Sequence, residues 1–199
     1  MNNHNDEFYK KVKETFKLNQ EIRALFKKNK KYGFDFPFES FLYSMALQNP
    51  QSYGSRLESF VIEKFNLQRV SSTDGLGDFE DSLCKKYELK VSLITVTNDA
   101  LNMVQIRPWQ GLSGYLMVAF DLRAEPIKLY AFQLTKEQLI NETKLMKATS
   151  AHGNKKAVKN NQTVELRMSL KIDPENEHFQ RWCENYLNHD LSKKFSTDK

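Results

Sequence analysis

The chain has 199 residues, 40% of them hydrophobic, with 14 Phe and 8 Tyr, which is enough apolar surface for a real core and too much for a disordered chain. No apolar run approaches the roughly 20 residues that span a bilayer, and the start, Met-Asn-Asn-His-Asn-Asp-Glu, lacks the basic and apolar stretches of a secretory signal. Two cysteines and four scattered histidines without zinc-ligand spacing argue against a disulfide framework or a Cys/His metal site, and fit a single cytoplasmic domain with no membrane segment.

The net charge of +5 is localised. Residues 1–31 hold nine Lys/Arg against four Asp/Glu, and the remaining chain balances at 21 of each. Within that balanced part, residues 143–164 carry Lys144, Lys147, Lys155, Lys156 and Lys159 and no acid. Two separate basic regions on a neutral body fit a polyanion partner, or, equally well from charge alone, solvated surface lysines.

Taken in order, residues 6–31 repeat apolar side chains at helical spacing (Phe8, Val12, Phe16, then Ile22, Leu25, Phe26), which predicts an amphipathic helix. A second helix is expected over 38–48, stopped by Asn49-Pro50, and a third over 55–67. The pattern then changes to period two and to β-branched and aromatic residues, which predicts strands over 76–80, 86–97, 102–107, 115–121 and 128–133. A helix over 135–146 opens on Thr135 as N-cap, a basic Gly- and Asn-containing loop follows, and a strand (163–172) and a closing helix (174–191) end the chain. Helices, a meander of strands, then helix–strand–helix predict a mixed α/β (α+β) fold with one central sheet flanked by helices.

The segment from Asp78 to Lys90 carries the chemistry. Folded as a hairpin about Leu83, it sets Asp81 opposite Lys85, Glu80 opposite Lys86, Phe79 opposite Tyr87 and Asp78 opposite Glu88. Two opposite-charge pairs and one aromatic pair are favourable cross-strand partners, so three positions support one register. Asp78 and Glu88 then project side by side, and two such carboxylates repel unless a proton or cation lies between them. Lys90 shares the face of Glu88, where an amine can orient water or stabilise charge on a phosphate. Glu-x-Lys arises readily by chance, as at Glu142-Thr143-Lys144, and the competing reading is an edge-strand ladder of ion pairs.

Gly77-Asp78, nine residues, then Glu88-Leu89-Lys90 resembles the signature of the PD-(D/E)XK nuclease superfamily, best known from type II restriction endonucleases, with Gly77 where that family usually has Pro. The order of elements from 55 to 172 is similar to its catalytic core, with 1–50 a helical N-terminal region and 173–199 a C-terminal helix. The resemblance implies a restriction endonuclease-like central mixed sheet and Mg²⁺-dependent hydrolysis of double-stranded DNA at a short specific sequence. It implies Asp78 and Glu88 as metal ligands and Lys90 as the residue positioning water. Glu58 is the match for the acid that a preceding helix often adds to the metal site, and equally a solvated helix residue.

For DNA contacts, Gln105 and Arg107 lie two apart on one expected strand. They are suited to adenine and guanine readout, though Gln105 can instead sit beside the metal. The basic loop offers Ser150, His152, Asn154, Lys155, Lys156 and Lys159 for phosphate and base-edge contacts. A nuclease with one such site per chain predicts a homodimer for double-strand cleavage, and a restriction enzyme predicts a companion methyltransferase. The alternatives are a repair, phage or nicking nuclease of the same fold, a nuclease acting on RNA, and a non-catalytic DNA-binding protein.

Overall fold

The computed structural model describes residues 3–28, 38–48, 50–71, 76–151 and 164–194. They fall into two compact units, Met1–Tyr53 and Gly54–Lys199, where length alone predicts a single domain. The first unit holds α1 (Asn3–Lys28) and α2 (Phe38–Ala46). On α1, Phe8, Val12 and Phe16 recur every four residues along one face, and all three are exposed. α2 ends before Asn49-Pro50 as expected, and α3 (Pro50–Lys64) starts at the proline, earlier than the expected residue 55. Proline in a first helical turn loses no hydrogen bond, because that N–H has no partner in the helix, and its φ is already helical.

The second unit continues with β1 (Gln68–Arg69), β2 (Phe79–Glu80), β3 (Lys86–Ile94), β4 (Ala100–Ile106), β5 (Gly114–Asp121) and β6 (Lys128–Thr135). Then come α4 (Lys136–Leu145), β7 (Thr149–Ser150), β8 (Leu166–Lys171), α5 (Glu177–Tyr186) and α6 (His189–Lys194). A five-stranded mixed sheet runs β1-β2-β3-β5-β6, as the α/β expectation requires. The simple meander does not hold. β3 and β5 are parallel partners, and β4 leaves them to join a second sheet of order β4-β8-β7. Alternation of side chains is the same in either sheet, so sequence periodicity cannot assign a strand to one of them.

The core lies where the two sheets and the C-terminal helices meet. Ile94, Met117, Leu101, Met168, Phe132 and Trp182 belong to one buried cluster. Edge-to-face rings tie α5 to β6, with Phe132 and Trp182 centroids 5.4 Å apart and Tyr130 and Phe179 5.2 Å apart. α4 starts where expected. Thr135 accepts from the Gln138 N–H while the Gln138 side chain accepts from the Thr135 N–H, a reciprocal cap. The expected closing helix is split in two. Leu187 forms a bridge with Phe132, and the Asn188 N–H donates to the Ala131 carbonyl at 2.7 Å, so the chain stops being helical to extend the edge of β6.

One buried carboxylate joins α4 to α5. Glu142 is 1% exposed and accepts from Arg181 (2.5 Å), the Trp182 indole (2.9 Å) and the Tyr186 hydroxyl (3.0 Å). Burial pushes its carboxyl up, but these donors, led by Arg181, outweigh burial and hold it below the ordinary glutamate range. Glu142→Ala leaves the indole and guanidinium unmatched and is expected to cost about 3–5 kcal/mol in urea unfolding. The ionised form stabilises the fold fully above the unfolded glutamate pKa, about 4.3, and that contribution fades as pH falls through the lower folded value. Glu142→Gln should therefore lose less stability than wild type between about pH 5 and pH 3, which thermal melts across that range would show.

Candidate active site

The β2–β3 hairpin has the expected register at its turn and at two strand pairs, but the ladder stops short of the expected Asp78–Glu88 pair, because the Asp78 N–H bonds to Tyr87 and shifts Asp78 off register. Phe79 pairs with Tyr87 and Glu80 with Lys86, and the Asp81 N–H donates to the Lys85 carbonyl at 3.0 Å. The Phe79 and Tyr87 rings stack at 5.2 Å. Asp81 organises the turn by accepting from the Leu83 and Lys85 N–H groups, both at 2.9 Å, and from the Tyr87 hydroxyl at 3.0 Å. Glu80 takes the Gln68 amide at 2.6 Å, which brings β1 onto the hairpin.

β2 starts only at Phe79, so Gly77 and Asp78 before it stand off the regular ladder. The Asp78 N–H donates to the Tyr87 carbonyl at 2.8 Å, and its carboxylate accepts from the Leu89 N–H at 2.7 Å. Gly77 makes the departure possible. Its φ is +78°, and a Cβ there would stand 2.8 Å from the Tyr87 carbonyl oxygen. Proline, the usual residue at this point of the PD-(D/E)XK signature, is fixed near −65° and cannot take this conformation.

Glu88 and Lys90 follow on one face of β3, with Lys90 Nζ donating to Glu88 Oε1 at 2.6 Å. Their side chains are 15% and 13% exposed, so this is not a solvated surface pair. Asp78 and Glu58 stand within reach of the same charges. Burial raises the Asp78 carboxyl most. The Leu89 hydrogen bond opposes that rise, Glu88 adds to it, and Lys90 and Arg69 lower it. Glu58 on α3 is pushed up to about 7, first by burial, with Lys90 pulling it down and Asp78 and Glu88 pushing it up. Next to Glu58, the Ser59 hydroxyl accepts from Arg69 of β1 at 2.9 Å, which fastens α3 to the edge of the sheet.

Three carboxyls against one ammonium make an acidic, half-buried centre. Asp78 and Glu88 together match the one or two carboxylates that Mg²⁺ takes alongside water and phosphate. A full three-carboxylate set with Glu58 is not assembled. Among the described residues, no three His, Cys, Asp or Glu side chains are grouped as a metal site. Glu58 thus senses the pair electrostatically without joining it in a three-ligand group.

Tyr115, which the sequence reading missed, pairs with Glu88 across β3 and β5. Its hydroxyl is buried and has no hydrogen-bond partner among the described residues. Burial, then the Glu88 charge, raises it to about 12; the Arg107 N–H faces it and opposes the rise without closing a full hydrogen bond. Only the parallel pairing of β3 with β5 brings Tyr115 here, and side-chain type gives no sign of it.

The expected DNA contacts disperse. A bulge between Met103 and Ile106 interrupts β4, and Gln105 sits on it, exposed, at φ +58°, so the shared face with Arg107 is lost. Arg107 donates to Glu165 at 2.7 Å. Ser150 lies in β7 and is 6% exposed, which removes it from a contact surface. His152, Asn154, Lys155, Lys156 and Lys159 lie outside the described residues. No helix among the described residues is long and apolar enough to cross a membrane.

Comparison of the chain with protein-family models, with curated proteins and with solved structures gave no match.

Two outcomes test this geometry. Gly77→Pro should destabilise by more than about 1 kcal/mol in urea unfolding, since the native φ is closed to it. Because folding raises the Glu58 pKa, the folded state gains stability as pH falls through about 7 toward the unfolded glutamate value. In EDTA the melting temperature should rise between pH 8 and pH 5.5, and Glu58→Gln should flatten that rise.

Proposed function

We propose that this protein is a Mg²⁺-dependent endonuclease that hydrolyses phosphodiester bonds of double-stranded DNA, in the manner of type II restriction enzymes. The observation that carries the reading is the β2–β3 register. It sets Asp78 against the strand bearing Glu88 and Lys90, and the three side chains share one electrostatic environment. An ion-pair ladder on an edge strand would be solvated and charge-balanced. This cluster is half-buried and has more carboxyls than cations.

In this scheme Asp78 and Glu88 hold the cation, which supplies Lewis-acid polarisation of the phosphate and a more acidic water. The Leu89 N–H fixes one oxygen of Asp78, so that carboxylate is oriented before substrate arrives. Lys90 is held on the Glu88 face by its 2.6 Å contact and donates to the attacking water or to a non-bridging phosphate oxygen. The half-neutral Glu58 carboxyl limits the repulsion among the acids. One such centre per chain breaks one strand, so double-strand cleavage takes two copies. The exposed apolar face of α1 supports a homodimer. Site-specific cutting would in turn require a companion methyltransferase to protect host DNA.

Supercoiled plasmid with Mg²⁺ should be nicked or linearised, and phage DNA should give discrete bands. Asp78→Ala, Glu88→Ala and Lys90→Ala should each lower cleavage about a hundred-fold or more, with duplex binding in Ca²⁺ retained. Plasmids of many sequences left intact by wild type would favour a DNA-binding protein without catalysis, and cleavage of RNA alone would move the substrate class.

A further inference from the structure

The second sheet presents a groove that the catalytic cluster does not use. It encloses about 450 Å³ and is lined by Asn102 and Val104 of β4, Thr149 of β7, Arg167 and Ser169 of β8, and Lys147 at the turn after α4. No acid lines it. The outward positions of β8 alternate with buried ones, so Arg167 and Ser169 stand on the open face while Met168 and Leu170 face the core.

The polar groups are pre-set by one another. Ser169 donates to Asn102 Oδ1 at 2.8 Å, and Arg167 Nε donates to the Thr149 hydroxyl at 3.2 Å. That second contact leaves the two terminal nitrogens of the guanidinium without a partner among the described residues. Lys147, exposed and at φ +52°, pairs with no carboxylate among them either. Two cations with no opposing acid, on a volume within the usual range for small-ligand sites, complement a phosphate-bearing chain.

The groove is also connected to the candidate catalytic strand. The Asn102 N–H donates to the Ser92 hydroxyl at 3.0 Å. Ser92 stands two residues beyond Lys90 on β3, about 7 Å along the strand. That hydrogen bond ties the strand lining the groove to the strand that carries Lys90.

We infer that the outer face of the β4-β8-β7 sheet is a phosphate-backbone site for the substrate DNA, with Lys147 and Arg167 meeting phosphates a short way from the one that is cut. The inference rests on the endonuclease reading and adds a substrate contact to it that lies outside the catalytic centre. The site positions the duplex and does not touch the reacting atoms.

Binding of a labelled duplex by fluorescence anisotropy, in Ca²⁺ and from 50 to 200 mM KCl, decides the matter. Each neutralised phosphate contributes about 0.9 to the slope of log K against log salt. The double variant Lys147→Asn/Arg167→Gln should therefore bind more weakly with a slope shallower by about two. Asn is chosen at 147 because it accepts a positive φ. Val104→Lys, at an exposed position on the same groove, should steepen the slope by about one. Unchanged slopes in both variants, with wild type binding and cutting normally, would overturn the groove and leave the nuclease standing. Wild type that binds duplex but never cuts, with the slopes shifting as stated, would sink the nuclease and keep the groove. Wild type that does not bind duplex at all overturns both.

Discussion

At Asp78 the chain holds the neighbouring strand through its side chain as well as its backbone. The Leu89 N–H needs a partner where β2 has not yet begun, and the Asp78 carboxylate supplies it at 2.7 Å. One hydrogen bond thus closes the sheet edge and fixes the direction of an acid. The position of Glu88 and Lys90 relative to that acid follows from the register of two neighbouring pairs. If the hairpin slipped by one residue, the alternation of faces would turn Glu88 and Lys90 toward the opposite side.

The electrostatics follow from that placement. Glu88 and Lys90 largely satisfy one another, while Asp78 and Glu58 are pushed upward by burial and by their neighbours. A carboxyl held near neutrality beside a fully paired one is a poor arrangement for stability alone. Elsewhere the same chain shows how it stabilises a buried acid. Glu142 has three donor residues around it and a lowered pKa. The contrast between the two carboxylate environments, one saturated with donors and one short of them, separates a structural acid from a chemically available one.

Much of this was legible in the sequence because short-range pairing leaves a trace. Phe79 with Tyr87 and Glu80 with Lys86 lie symmetrically about one turn, so composition alone fixed the hairpin. The Thr135 cap was equally local. What escaped was set by distant residues. The two-residue strands β1 and β7 are too short to show a period. The assignment of β4 and β8 to a separate sheet depends on which edge each strand meets, and the pairing of Arg107 with Glu165 joins positions 58 residues apart. The left-handed backbone at Gln105, with its bulge, turned a face that simple alternation had placed correctly only as far as Met103. At Gly77 the backbone takes a conformation that proline cannot adopt.

The topology also sets an order of assembly. β4 draws its ladder partner from β8, with Ala100 beside Lys171 at one end. During synthesis the first six strands emerge while that partner is still unmade. Until β8 arrives, β4 is an open edge with unsatisfied amides and carbonyls. The second sheet is therefore completed late, after β2 and β3 already exist. A chain still on the ribosome would hold Asp78, Glu88 and Lys90 on a hairpin already free to pair before the second sheet can close.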